Sequence, residues 1–93
     1  MGVPTKQELP LEDFALAIQS VTGRSPGPLE DQEVELVALG VTSLHFFRLI
    51  ALLEQQTGVT FEDDRIEPNR VRRLADVREL LSGYGVVLQH PAS

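Results

Sequence analysis

No cysteine occurs among the 93 residues, so disulfides, thiolate metal sites and thiol nucleophiles are all excluded. The two histidines, His45 and His90, are far apart in sequence, which argues against a zinc site. No apolar run approaches the roughly 20 residues of a membrane-spanning helix. The N-terminus also lacks the charged-then-apolar pattern of a signal peptide. These absences point to a soluble cytoplasmic protein. Basic residues are scarce, 8 against 14 acids, for a net charge of −6. Residues 1–64 carry 11 acids against 3 bases, and residues 65–93 carry 3 against 5. Nucleic-acid binding needs clustered Lys and Arg to displace counterions, and an acidic first two-thirds argues against it. The basic group Arg65, Arg70, Arg72 and Arg73 is diluted by Glu67, Asp76 and Glu79, as on a solvated, salt-bridged surface.

What is present is one small domain's worth of chain, with a modest core. Its organising stretch is LGVTSLHFFRLIALLEQQTG, Leu39 to Gly58. A tight turn at Leu39-Gly40 leads into one strong helix, with Thr42 or Ser43 as N-cap and Gly58 where a left-handed residue closes it. At about 100° per residue, Phe46, Leu49, Ile50 and Leu53 share a core face. His45, Arg48, Gln55 and Gln56 form a polar face. Leu44, Phe47 and Ala51 make a second apolar edge beginning beside Ser43. Either the segment 24–42 covers that edge or a partner does.

Residues 1–8 read as a flexible lead. A first helix is expected from Leu9 to Gly23, with Pro10 in its first turn and one apolar stripe of Leu11, Phe14, Ala15, Ile18 and Val21. Residues 24–42 begin with the breaker cluster RSPGP and then alternate acids with Leu29, Val34, Leu36, Val37 and Leu39. A segment of this length packs across the bundle, with a short helical turn near Asp31 to Val37. A strand at EVELV has no second strand to pair with. The connector after Gly58 carries Val59, Phe61 and Ile66 and a short helical turn near Asp63, stopped by Pro68. A last helix runs from Arg72 to Ser82, with Val71, Leu74, Val77, Leu80 and Leu81 inward and no good N-cap. Gly85 to Ser93 reads as a loose tail. The expected fold is all-α: a small bundle of three principal helices and one short fourth, with the domain over 9–84.

Catalytic constellations are missing. Ser43 and His45 diverge by roughly 200° on a helix and cannot act as nucleophile and base. Glu62, Asp63 and Asp64 lack the alternating spacing and glycine of a calcium loop. From the residues alone, the chain is a helical, acidic protein with a serine at a helix entrance, and not an enzyme.

The segment Leu39-Gly40-Val41-Thr42-Ser43-Leu44 resembles the attachment motif of acyl and peptidyl carrier proteins, usually Leu-Gly-x-Asp-Ser-Leu. Arg48-Leu49-Ile50 and Leu53-Glu54 resemble that family's second helix. Val59 to Asp64 is similar to its connector, and Leu74-Ala75-Asp76-Val77 to the start of its last helix. The resemblance spans roughly residues 9 to 82. It implies that Ser43 receives 4′-phosphopantetheine from coenzyme A, held with Mg²⁺ inside a separate phosphopantetheinyl transferase. It further implies that an acyl or aminoacyl group rides on the arm as a thioester, placed there by a loading enzyme and consumed by downstream synthases or transferases.

Two departures matter. Thr42 stands where Asp is usual, and the exposed face of the second helix is not acidic. Those departures resemble free-standing carriers of specialised biosynthesis, polyketide or nonribosomal. Met1 and the short ends fit a free-standing monomer. Partner contacts are then expected through Thr42, Leu44, His45, Phe47, Arg48, Ala51 and Phe61. The rival reading is a cofactor-free interaction module of death-domain or sterile-motif type, with a DNA-binding bundle using Arg70, Arg72 and Arg73 a distant third.

Overall fold

Pro10 opens the first helix from outside it. Its φ of −60° and ψ of 140° make it the N-cap of α1, Leu11–Thr22, whose first turn carries Glu12 and Asp13. Acids there complement the helix dipole. Phe14, Ala17 and Ile18 are buried on one side of α1, while Leu16 is exposed. The central helix α2, Ser43–Thr57, packs against α1. It buries Phe46, Leu49, Ile50, Leu53 and Thr57, so the core face expected from its periodicity is the observed one. Gly58 closes α2 at φ 75°, a conformation that a side chain would strain. The third helix, α3, is Leu74–Ser82, and buries Leu74, Val77 and Leu81. It starts two residues later than the sequence pattern implies. Its cap comes from inside the helix: Asp76 Oδ2 accepts the backbone N–H groups of Arg72 and Arg73, each at 3.0 Å. A carboxylate at the third position thereby does what Arg72 and Arg73 cannot.

This computed structural model describes residues 7–27 and 29–89. Two expectations about the ends are corrected. Gln7–Leu9 forms β1 and Val86–Leu88 forms β2, and the two pair in parallel, Gln7 with Val86 and Leu9 with Leu88. The expected flexible lead and loose tail are thus, over these residues, an ordered sheet; residues 1–6 and 90–93 lie outside the described residues. Leu9, Val86 and Leu88 are buried in the same core as the helices, which is the physical reason the strands hold. Arg78 of α3 ties this end together. Its Nη1 donates to the Leu88 carbonyl and its Nε to Gln32 Oε1 at 2.8 Å, while Nη2 is buried without a partner among the described residues. Burial lowers the pKa of that guanidinium from its ordinary value.

The fold class needs a matching correction. The fold is helical as expected, with three α-helices among the described residues, but the expected short fourth helix is a single 3₁₀ turn, Asp63–Arg65, and a small two-stranded sheet is added. The helical turn expected near Asp31 to Val37 falls at Leu36–Leu39, also 3₁₀. The segment before it does find an extended neighbour. Glu35 and Arg73 form an isolated antiparallel bridge, the Leu36 N–H donates to the Arg72 carbonyl at 2.8 Å, and the Leu74 N–H donates to Val34 at 3.0 Å. Leu29 and Leu36 anchor this segment in the core. It therefore lies along the entrance to α3 and leaves the outer edge of α2 uncovered.

Candidate functional site

The entrance to α2 is a turn that only certain residues can make. Gly40 sits at φ 91° at the end of the 3₁₀ turn, and the Val41 N–H donates back to the Leu36 carbonyl at 3.0 Å. Thr42, extended at φ −82° and ψ 177°, is the N-cap. Its Oγ1 accepts the His45 N–H at 3.4 Å, and His45 Nδ1 lies 3.3 Å from the Thr42 N–H. The same Nδ1 is 3.0 Å from the Gly40 carbonyl. The one ring nitrogen serves one of these neighbours at a time. Unprotonated, it accepts the Thr42 N–H, the reciprocal role that Glu or Gln fills in the usual capping box, and protonated, it donates to the Gly40 carbonyl. These bonds leave the Ser43 hydroxyl out: Ser43 is the first residue of α2, exposed, with no hydrogen bond from Oγ to any described residue.

Beside Ser43 is a cleft of about 180 Å³, with Val37, Phe46, Pro68 and Val71 among its apolar walls and Glu35 and Arg72 among its polar ones. The N–H groups of Ser43 and Leu44, in the first turn, have no intrahelical acceptor. The dipole of α2 makes this a favourable place for an anion. An exposed hydroxyl, unpaired first-turn N–H groups and an adjacent half-apolar cleft together fit an arm joined through a phosphodiester. No group of three or more His, Asp or Glu side chains that could hold a metal is found among the described residues.

The outer surface of α2 carries the second apolar edge. Leu44 is 73% exposed and Phe47 52%, and Ala51 is exposed as well. Arg48 beside them is exposed and has no carboxylate partner among the described residues. Two residues expected on the contact surface are placed differently. Phe61 is 3% exposed, stacked edge-on against Tyr84 at 5.0 Å, and belongs to the core rather than to a docking surface. The ring of His45 is turned back into the cap and is half-buried.

Residues that the sequence pattern did not bring to the site are Glu35, Val37, Pro68 and Arg72. They come from segments on either side of α2, and no local periodicity announces such a meeting. Glu54, the main acid expected on the face of α2, is also redirected: its Oε2 accepts the Phe61 N–H at 2.9 Å and pins the connector.

These elements define a small helical carrier domain with a serine at the entrance of its central helix. The family model for the phosphopantetheine attachment site matches residues 12–77, and the chain belongs to that family of acyl and peptidyl carrier proteins. Its cofactor is 4′-phosphopantetheine, attached covalently. Comparison with curated proteins and with solved structures gives no match. Carrier domains of this kind work with transferases and synthases and are in general not themselves catalytic. No helix among the described residues is long and apolar enough to cross a membrane.

Proposed function

We propose that Ser43 is the attachment residue and that the protein carries acyl or aminoacyl thioesters between enzymes without catalysing a reaction of its own. The observation that carries this reading is the exposed Ser43 hydroxyl, left unbonded at the first position of α2 while Thr42 does the capping. Within a transferase, the Ser43 oxygen forms a new P–O bond to the phosphate that bears the pantetheine chain. The pyrophosphate bond of coenzyme A breaks, adenosine 3′,5′-bisphosphate leaves, and the hydroxyl proton passes to a base of the transferase. The arm supplies the terminal thiol on which the carried group is esterified. The chain's own contribution is positional. Thr42 and His45 fix the turn, and the Ser43 and Leu44 N–H groups face the new anion.

The carrier unit in this reading takes in both terminal strands as well as the helices, residues 7–89. Thr42, Leu44, Phe47, Arg48 and Ala51 form the contact surface for the transferase, a loading enzyme and downstream synthases. The lack of acids on the outer face of α2 fits specialised polyketide or nonribosomal biosynthesis better than fatty-acid synthesis. The monomer acts in the cytoplasm.

Incubation with coenzyme A, Mg²⁺ and a broad-specificity phosphopantetheinyl transferase, followed by intact-mass measurement, tests the reading. One phosphopantetheine should be added to the wild type and none to Ser43→Ala of unchanged fold. Addition to the Ala variant would place the site elsewhere, and no addition to either would favour the cofactor-free interaction module.

A further inference from the structure

The outer face of α2 has an electrostatic sign opposite to that of the whole chain. The protein carries a net charge of −6. The acid of α2, Glu54, is half-buried and bonded to the Phe61 N–H, so it does not serve the outer face. What that face presents is Leu44, Phe47 and Ala51 with Arg48 beside them. Across the Ser43 cleft stands Arg72, also exposed. Arg65, Arg70 and Arg73 each have a carboxylate within 3.7 Å, at Glu62, Glu67 and Glu33, whereas Arg48 and Arg72 have none among the described residues. Glu35 is the one acid lining the cleft among the described residues. One uncommitted guanidinium group, Arg48, therefore borders the exposed apolar edge, and a second, Arg72, borders the cleft beside Ser43, both at the arm-bearing end of an otherwise acidic molecule.

We propose that the enzymes that receive this carrier present an apolar pocket rimmed by carboxylates, which takes Phe47 and Leu44 while pairing with Arg48 and Arg72. The proposal rests on the carrier reading and names the chemistry of its partners. An exposed aromatic beside apolar neighbours is the kind of residue that anchors an interface. Charges at the rim select the partner and set its register more than they add affinity. The −6 total does not override this, because the Debye length is about 8 Å at physiological ionic strength and charges beyond it are screened. Lysine-rimmed pockets would meet Arg48 as a like charge and lose the complementarity. A second copy of this chain, which has acids at Glu30 to Glu35 and Glu62 to Asp64, is the competing occupant.

Two synthetic amphipathic helical peptides with the same Leu and Trp anchors, one flanked by Glu and one by Lys, separate these cases. Each is titrated into ¹⁵N-labelled protein at about 0.15 M salt. The Glu peptide should bind at least about threefold more tightly than the Lys peptide, the scale of one or two exposed charge pairs. Its shifts should centre on Leu44, Phe47, Arg48 and Ala51. Arg48→Glu, an exposed change that leaves the fold intact, should reverse the preference. Equal or stronger binding of the Lys peptide, binding of neither, or shifts centred elsewhere would overturn the proposal. Concentration-dependent shifts of the same residues without peptide would assign the face to a second copy instead. The titration uses apo protein and Ser43→Ala, so it fails or succeeds independently of the mass test for the arm.

Discussion

Thr42 and His45 close the entrance of α2 together, the His45 N–H reaching Thr42 Oγ1 at 3.4 Å while His45 Nδ1 lies 3.3 Å from the Thr42 nitrogen and 3.0 Å from the Gly40 carbonyl. This pair sets the angle at which Ser43 leaves the turn. Thr42→Ala removes the side-chain acceptor and should cost about 1 kcal/mol in urea unfolding, the usual value of an N-cap. Thr42→Asp keeps an acceptor at the same place and should stay within about 0.5 kcal/mol of wild type. Equal losses for the two variants would show that the cap does not depend on this oxygen.

The faces of α2 predict a sharp contrast in stability. Ile50→Ala and Leu53→Ala remove buried side chains and should each cost about 2–5 kcal/mol. Arg48→Ala and Gln55→Ala, both exposed, should stay within about 0.5 kcal/mol. Chemical denaturation of the four variants measures this directly, and a similar loss in both pairs would mean the helix is rotated.

Phe47 is half-exposed yet rests edge-on against Phe46, with ring centroids 5.3 Å apart. Phe47→Ser should therefore lose only about 1 kcal/mol, the scale of an aromatic pair, rather than the several of a core truncation. Loading of the phosphopantetheinylated protein by its enzyme should slow several-fold. A variant that loads at the wild-type rate would remove Phe47 from the docking surface.

The sheet at the chain ends predicts that a residue near the C-terminus matters to the core. Leu88 is fully buried, and Leu88→Ala should cost about 2–5 kcal/mol in thermal or urea unfolding. A neighbouring change at exposed Gln89 should be nearly silent. If Leu88→Ala were silent too, the end of the chain would not be part of the folded unit.

Arg78 offers a separate test of how that end is fastened. Arg78→Met keeps the aliphatic stem but leaves the Leu88 carbonyl without its donor, and should cost about 1–3 kcal/mol. Hydrogen exchange should rise first at Val86 to Gln89. Uniform exchange changes across α1 and α2 would point instead to a general loss of packing.

The sequence by itself determined α2, its core face and the position of Ser43, because these rest on local rules. Apolar residues recurring at helical spacing select a buried stripe, and Thr42 and Gly58 stop the helix by side-chain and φ preferences that act within one turn. Tertiary structure alone decided which remote segments meet. Three-residue strands have too few positions to show an alternating pattern, and pairing Gln7 with Val86 spans nearly the whole chain. Glu54 looked like a surface acid because its attraction to the Phe61 N–H depends on how the connector returns after Gly58. Phe61 and Leu44 are both apolar residues near helix ends, yet one is buried against Tyr84 and the other lies open. Their fates differ because burial is settled by what the rest of the chain brings alongside. Here the segment 29–41 packed against the entrance of α3 and left the face beside Ser43 uncovered.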